Sequence, residues 1–293
     1  MRYFIRDSTL FLRGDFLAAS TGINGGIRKV STICNRTVPR DFEHEQPVRS
    51  LEQIIKREGY SDAFFGLLTA VEMRNLCILQ YDFITVFVTA GVTNPKDDGP
   101  HTINILVYSG EGLSPGGLLE SIITATEAKV KALQNMGYPF TGTTTDAIVI
   151  ASEGEERHVY AGILTEPGRR IYPAVVFGVQ EALKRHEGQI VRSGPSFFIF
   201  SRYGGERWVE WGKEECPYYP CHFEGQRCDF CYCPFYPCLD AGLGGWVDSS
   251  SGGEVWSCST CTLLHKPEIA SHFKKYPEAS LSELKALLKR RKK

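Results

Sequence analysis

The chain is 293 residues long and carries a formal net charge of −1, with 42% hydrophobic and 23% charged residues. This composition is typical of a globular protein with a sizeable core. The near-zero charge excludes a general electrostatic attraction to nucleic acid or to a membrane surface. The length favours one large domain and one small one.

Strand-like and helical patterns are interspersed through the first 200 residues. Runs rich in β-branched and aromatic residues predict strands at residues 3–5, 16–20, 27–34, 84–89, 103–108, 147–151 and 197–200. Helical patterns lie at residues 51–57, 115–136 and 170–186. Because strands outnumber helices and come in adjacent pairs, the sequence predicts an α+β fold, with a layered mixed sheet and packed helices, rather than a doubly wound parallel sheet.

The clearest helix is the middle one. Ser114 suits the N-cap, Pro115 the first helical position and Gly137 the stop after the last turn. Apolar spacing predicts that its buried stripe consists of Leu119, Ile122, Thr126, Val130 and Leu133.

The chain shows no secretory or membrane-spanning pattern. Only a few apolar residues separate Arg2 from Arg6, and the most apolar stretch, residues 83–92, is half the length of a membrane span. We therefore expect a cytoplasmic protein. Cysteines in that reducing compartment are metal ligands or free thiols more often than disulfides.

The cysteines divide the chain. Eight of the ten fall between Cys216 and Cys261. We predict a catalytic domain at residues 1–205, a cysteine-rich metal-binding domain at residues 206–268, and a C-terminal helix with a basic tail at residues 269–293. In the last part, Ser280 and Glu283 have the spacing of a capping box that opens a helix.

The cysteine cluster has the spacing of a metal site. Two C-x2-C pairs, Cys228/Cys231 and Cys258/Cys261, each suit one tetrahedral ion. Eight thiolates would fill two four-ligand zinc sites, with His222 and His265 as alternative ligands; an iron–sulfur cluster is the less favoured alternative. The predicted ligands are Cys216, Cys221, Cys228, Cys231, Cys233, Cys238, Cys258 and Cys261.

Four polar, glycine-containing segments lie beside predicted strands of the first domain. They read STGINGG, TAGVTNP, HTINI and TGTTTDAI. Loops at the ends of strands commonly carry functional groups. Hydroxyls, side-chain amides and backbone N–H groups suit a ligand rich in amides, or the oxyanion that forms when an amide is attacked. The alternative is that these segments are simple turns.

Read in order, six motifs resemble the adenosylcobinamide amidohydrolase family. They are STGINGG, FVTAGVTN, HTINILV, ITATEAKVKAL, TGTTTDAIVIAS and YAG, between about Gly14 and about Ala182. The resemblance implies hydrolysis of the amide between the aminopropanol arm and the corrin ring of adenosylcobinamide. The products would be adenosylcobyric acid and 1-aminopropan-2-ol, in coenzyme B12 salvage. The small cysteine-rich domain resembles one that is sometimes attached to this family.

Site residues follow from these motifs. Asp146 is the candidate base, or alternatively a cap for its own loop; Thr144, Glu127 and Asn24 are the other catalytic candidates. Glu127 also suits an ion pair with Lys131. The candidate substrate-binding residues are Thr21, Gly25, Thr93, Asn94, Asn104, Thr143 and Thr145.

Three alternatives stay open at this stage. A Cys/His amidase lacks a local signature: Cys34 suits a buried strand, and His158 is expected to face solvent. A corrinoid-binding or delivery protein would keep the pocket without the chemistry. A zinc-dependent regulator that contacts nucleic acid is disfavoured, because the segment between Cys216 and Cys261 contains one arginine, Arg227, and no lysine. We expect a corrinoid partner, no nucleic acid and no membrane span.

Overall fold

The structure is a computed structural model. It describes residues 1–39, 42, 47–92, 102–201, 205–211, 218–231, 233–248 and 254–290. The chain forms two compact units, Met1–Trp211 and Gly212–Lys293. No helix among the described residues is long and apolar enough to cross a membrane.

The strands are β1 (Arg2–Arg6), β2 (Thr9–Ser20), β3 (Gly26–Thr37), β4 (Phe64–Thr69), β5 (Cys77–Tyr81), β6 (Ile84–Gly91), β7 (Thr102–Ser109), β8 (Gly112–Leu113), β9 (Ala147–Ser152), β10 (Glu156–His158), β11 (Ser196–Ser201), β12 (Arg207–Glu210), β13 (Gly245–Asp248) and β14 (Glu254–Ser257). The helices are α1 (Pro47–Arg57), α2 (Pro115–Asn135), α3 (Gly168–His186), α4 (Pro267–Lys275) and α5 (Leu281–Arg290).

Ten of these strands form one mixed sheet within the described part of the first unit. Their order is β12-β11-β5-β6-β7-β9-β2-β3-β4, and β1 pairs with β2. The β3/β4, β5/β11 and β7/β9 pairs are parallel, whereas the other pairs in the sheet are antiparallel. The predicted α+β class, with a mixed sheet and packed helices, is confirmed.

Helices α2 and α3 pack against each other and on one face of the sheet. The core between them is aliphatic, and alternate residues of β6, β7 and β9 point into it. The sheet also curls. Tyr3 of β1 packs edge-on against Phe87 of β6, with the ring centroids 5.1 Å apart, so the β1/β2 hairpin covers the other face. A register shift in β2 between Arg13 and Phe16 bends this strand. The first half of β2 therefore pairs with β1 in the hairpin, and the second half pairs with β9 in the sheet.

Helix α2 begins and ends as predicted. The Ser114 hydroxyl accepts a hydrogen bond from the backbone N–H of Gly117 (2.9 Å), and Gly137 adopts the left-handed conformation at φ 82° that stops the helix. Of the predicted stripe, Leu133 is buried and Ile122 and Val130 are half-buried, whereas the prediction is wrong at Leu119 and Thr126, which are exposed. The buried face instead carries Leu118, Ser121, Ala125, Ala128 and Ala132. Small residues let α2 approach α3 and the sheet closely, so size outweighs hydrophobicity in choosing the buried face.

In the second unit, α4 and α5 pack on the cysteine-rich segment. Leu263, Leu264, Ile269, Phe273 and Leu284 form a small core, with Phe230 and Phe235 against it. The predicted capping box is confirmed. Glu283 accepts from the backbone N–H of Ser280 (2.6 Å), and the Ser280 hydroxyl accepts from the backbone N–H of Glu283 (3.3 Å).

Candidate functional site

The polar segments predicted from the sequence meet at one edge of the sheet. Strand β2 ends there at Ser20 and β6 at Gly91, while β7 begins at Thr102 and β9 at Ala147. These four strands are neighbours, because β6 pairs with β7, β7 with β9 and β9 with β2. Two candidate residues, Thr93 and Asn94, lie outside the described residues.

Asp146 is the hub of this edge. Its Oδ1 accepts hydrogen bonds from the Ile103 backbone N–H (2.9 Å) and the Thr143 hydroxyl (2.6 Å). Its Oδ2 accepts from the Lys129 ammonium (2.5 Å) and the Thr143 backbone N–H (3.0 Å). The carboxylate therefore ties together the start of β7, its own loop and helix α2.

Lys129 and Asp146 form an ion pair with side chains only 9% and 10% exposed. Gly142 lies directly over the pair, since a Cβ added there would come within 2.5 Å of both Asp146 Oδ2 and Lys129 Nζ. The backbone can approach so closely because glycine has no side chain. Sequence reasoning missed Lys129. If the buried face of α2 is placed along Ala125, Ala128 and Ala132, Lys129 stands out as the one cation on that face.

Glu127 is not part of this group. It is exposed on α2, and two residues along a helix correspond to a rotation of about 200°. It therefore points away from the side that Lys129 presents to Asp146. Among the described residues, no ion pair joins Glu127 to Lys131 either, although the spacing suits one.

The other threonines of the loop differ in environment. Thr144 is exposed at the tip of the loop. Thr145 is also exposed, but its hydroxyl lies 2.7 Å from the hydroxyl of the buried Thr102. Thr144 is therefore the loop hydroxyl best placed to meet an external ligand.

Asn104 belongs to a buried polar cluster on the opposite face of the sheet. Its amide donates to Asn35 Oδ1 (3.0 Å) and to the Leu68 carbonyl (2.8 Å), while the Asn35 amide donates to Thr89 Oγ1 (2.9 Å). All three polar side chains are fully buried. Asn35 and Asn104 lie on strands separated by two others, so the cluster holds the curled sheet together. Asn104 therefore makes a structural contact in the interior, and its side chain is not exposed at the surface.

The loop after β2 is held by its own backbone and by its neighbours. The Thr21 hydroxyl accepts from the Ile148 backbone N–H (2.9 Å), and Arg28 donates to the carbonyl of Asn24 (2.8 Å). Asn24 has a positive φ of 52° and is exposed. A Cβ at Gly25 would lie 2.3 Å from the Ser20 carbonyl, so the tight turn needs glycine there. The loop thus presents Asn24 outward at the same edge.

The two residues weighed for a Cys/His mechanism are both buried. Cys34 is fully buried, as predicted, and burial raises the pKa of its thiol to about 12. The expectation that His158 faces solvent is wrong. Its ring stacks on Phe83 at a centroid distance of 5.3 Å, and Nε2 lies 2.6 Å from Glu111 Oε2. The pairing of β10 with β8 carries His158 inward, which a local reading of the glutamate-rich turn does not reveal.

The cysteine-rich unit contains a cavity of about 240 Å³. Its walls include Cys231, Cys233, Cys238, Cys258, Cys261, His222 and His265. Burial first, and then neighbouring thiols, raise the pKa of Cys233 to about 11 and raise that of Cys258. Among the described residues, no group of three or more Cys, His, Asp or Glu side chains is close enough to hold a metal ion as it stands.

Two further predicted ligands lie near Gln226. Its amide donates to the thiols of Cys221 (3.1 Å) and Cys228 (3.5 Å). The rings of His222 and His265 approach each other, with centroids 4.5 Å apart. Cys216 lies outside the described residues.

Comparison with known families decides the identity of the first unit. Residues 11–190 match the family model described as adenosylcobinamide amidohydrolase. The chain belongs to the adenosylcobinamide amidohydrolase family. Residues 207–287 match the model of a cysteine-rich small domain. The family resemblance inferred from the six motifs, and the cysteine-rich attachment, are both confirmed.

Two curated proteins are similar to parts of this chain. An adenosylcobinamide amidohydrolase of Methanosarcina mazei is 41% identical over 196 residues, which cover 63% of this chain and 98% of that protein. A probable cobalt-factor III C(17)-methyltransferase of Methanothermobacter thermautotrophicus is 45% identical over 53 residues, 18% of this chain and 14% of that protein. A solved Pyrococcus horikoshii protein, PH0078, aligns with a TM-score of 0.35 and 12% identity over 61% of this chain and 76% of that one, too low to inform the fold.

Several of the predicted site residues lie close together in this family member. Asp146, Thr143, Thr145, Thr21 and Asn24 come together at one edge of the sheet. Glu127 points elsewhere, and Asn104 faces the interior of the curled sheet. Lys129 and Thr102 also belong to this group; both stand within the six motifs, although neither was a predicted site residue.

Proposed function

We propose that the Asp146 group is the centre at which this amidohydrolase cleaves its substrate. The enzyme hydrolyses the amide between the aminopropanol arm and the corrin ring of adenosylcobinamide, giving adenosylcobyric acid and 1-aminopropan-2-ol. The observation that carries the assignment is the shielded ion pair of Asp146 and Lys129, at the edge where the polar segments converge.

The proposed role of Asp146 is that of general base. Its two oxygens already accept hydrogen bonds in all four lone-pair directions. Three of those donors are held by the backbone or by the ion pair. The Thr143 hydroxyl is the one donor that can rotate away, and it lies where an attacking water would donate to Oδ1. The substrate water thus takes the place of that hydroxyl.

The Asp146 carboxylate alone then carries out both proton transfers of the hydrolysis. Asp146 takes a proton from the water as its oxygen bonds to the amide carbon, and a tetrahedral intermediate forms. When the carbon–nitrogen bond breaks, the protonated Asp146 returns the proton to the leaving amine. Lys129 fixes the orientation of the carboxylate throughout, as the third group of a base-and-orienter arrangement requires.

Exposed groups around this centre are proposed to hold the substrate. Thr144 and Asn24 are exposed at the same edge and suit the carbonyl of the scissile amide or its oxyanion. Thr21, Gly25, Thr143 and Thr145 line the loops beside it, and Thr93 and Asn94 belong to the segment joining β6 to β7. Buried Asn104 is proposed to support this edge from beneath.

The test is turnover of adenosylcobinamide, followed by release of 1-aminopropan-2-ol. We expect Asp146→Asn to lower kcat by about 10²–10⁴-fold, as loss of a general base does. Thr143→Ala leaves room for water and should lose less than about tenfold. The exposed Asp15→Asn is the matched control and should be fully active.

If Thr143→Ala were as inactive as Asp146→Asn, the hydroxyl itself would be the nucleophile. Binding without product in the unaltered chain would favour a corrinoid carrier instead.

We also propose that the cysteine-rich unit binds zinc. The donor set suits a soft metal ion, because five thiols and two imidazoles line one cavity. Burial, and then neighbouring thiols, raise the pKa values of Cys233 and Cys258. A bound cation would lower these pKa values again, because it stabilises the thiolate. Among the described cysteines, Cys34, Cys77, Cys221, Cys233 and Cys258 are free thiols, which suits the proposed cytoplasmic location.

A further inference from the structure

An apolar patch lies on the first unit away from the proposed centre. Six large side chains are each between 46% and 78% exposed. We call them the α2 patch: Leu119, Ile123, Val159, Tyr160, Ile163 and Leu164. Among the described residues of the first unit, the exposed large apolar side chains outside it are Ile5, Ile27 and Val191. Six of the nine exposed large apolar side chains among the described residues of this unit therefore lie in one place.

The patch is continuous because residues 159–164 are fastened along helix α2. The Glu120 carboxylate accepts from the backbone N–H groups of Ala161 (2.6 Å) and Gly162 (3.2 Å). The Thr124 hydroxyl donates to the Ala161 carbonyl (2.9 Å). These bonds hold the segment between Leu119 and Ile123, so its side chains stand beside theirs in a fixed arrangement.

The position of the patch argues against the corrinoid as its occupant. Leu119 is ten residues before Lys129, about 15 Å along the helix axis. Ile123 is closer, but six residues correspond to a rotation of about 240°, so it faces another direction. The patch therefore lies apart from the centre proposed for the scissile amide.

We infer that the α2 patch is the interface between two copies of this chain. The six side chains are each about half exposed or more, so together they present on the order of several hundred Å², the size of patch that marks an interaction site and of the same order as the roughly 800 Å² that each partner contributes to a standard interface. Exposed charges of both signs lie nearby: Glu127 and Lys131 on α2, and Glu166 and Arg169 after residue 164. In a two-fold pair, the same surface faces itself, so mixed charges can pair with each other.

The experiment is sedimentation velocity on the full chain at about 1 and 50 µM. We expect a dimer whose dissociation constant rises at least 100-fold in Leu164→Glu and in Ile123→Glu, since a charge at the centre of an apolar interface is desolvated without a partner. Val191→Glu is the control, because Val191 is 79% exposed outside the patch and should leave the dimer intact.

Two results would overturn the inference. One is a monomeric unaltered chain at 50 µM, and the other is a dimer that withstands both patch substitutions. Circular dichroism and the melting temperature establish that each variant is folded. Tyr160→Ser, a milder change, should weaken the dimer in the same direction. A monomer in which the patch variants raised KM for adenosylcobinamide would assign the surface to the substrate instead.

Discussion

At the residue scale, Asp146 is the point where three parts of the first unit meet. One carboxylate receives Lys129 from α2, Thr143 from its own loop and the backbone of Ile103 from β7. A shielded ion pair of this kind adds little net stability, because desolvation of the charges offsets their attraction. Its contribution lies in orientation, which is what a catalytic carboxylate needs.

The double variant Lys129→Met/Asp146→Asn separates the two roles. Each single change leaves a shielded group without its partner and should cost about 3 kcal/mol of unfolding free energy, whereas the double variant should cost less than either. All three should lose at least about 10²-fold in kcat. Urea denaturation and the turnover assay measure the two effects. Lys131→Met, on the exposed side of the same helix, is the control. Costs that simply add would contradict a direct pairing.

At the element scale, the edge strand β12 is held to α3 by charge. Arg185 of α3 is fully buried and donates to Glu181 (2.7 Å) and to Glu210 of β12 (3.2 Å). Glu210 also accepts from Arg192 (2.8 Å) and from the Ser196 hydroxyl (2.6 Å). Burial alone would raise the pKa of Glu210, but Arg192, Ser196 and Arg185 outweigh it and hold the pKa below its usual value.

This network makes stability depend on pH. A carboxyl group with a lowered pKa contributes stability above its ordinary pKa of about 4.3, and the contribution is lost as the pH falls below that value. Glu210→Gln should therefore lower the unfolding free energy by about 1 kcal/mol at pH 7, allowing for solvent screening, and by less at pH 3. Denaturation at both pH values measures it, with exposed Glu206→Gln as the control. An equal loss at pH 7 and pH 3 would exclude the charge as the cause.

Across the whole molecule, the two units differ in what can stabilise them. The first has two extended cores on the faces of a ten-stranded sheet, within its described residues. The second has a small apolar cluster around α4 and α5. A domain of about 80 residues rarely gains enough stability from so small a core, and a structural metal is a common supplement.

Removal of metal should therefore affect one unit only. We expect about two zinc ions per chain by elemental analysis, in line with eight thiolates and four ligands per ion. A strong chelator should abolish the thermal transition of the second unit and leave that of the first in place, as calorimetry can detect. Cys233→Ser should lower the zinc content, and Cys77→Ser, in the core of the first unit, should not. Visible absorption with iron in place of zinc would indicate an iron–sulfur cluster.

Local patterns determined much of this protein. Runs of β-branched and aromatic residues located the seven predicted strands, caps set both ends of α2 and the start of α5, and six ordered motifs identified the family. These features depend on residues close together in the chain, where spacing and side-chain type are sufficient.

Tertiary structure alone decided which faces and loops meet. Lys129 pairs with Asp146 across 17 positions, and Asn104 with Asn35 across 69. Neither pairing has a local signature, because each depends on how helices pack and how the sheet curls. The buried face of α2 was also chosen by close packing of alanines rather than by hydrophobicity. That choice turned Lys129 inward and left Leu119 and Ile123 on the surface.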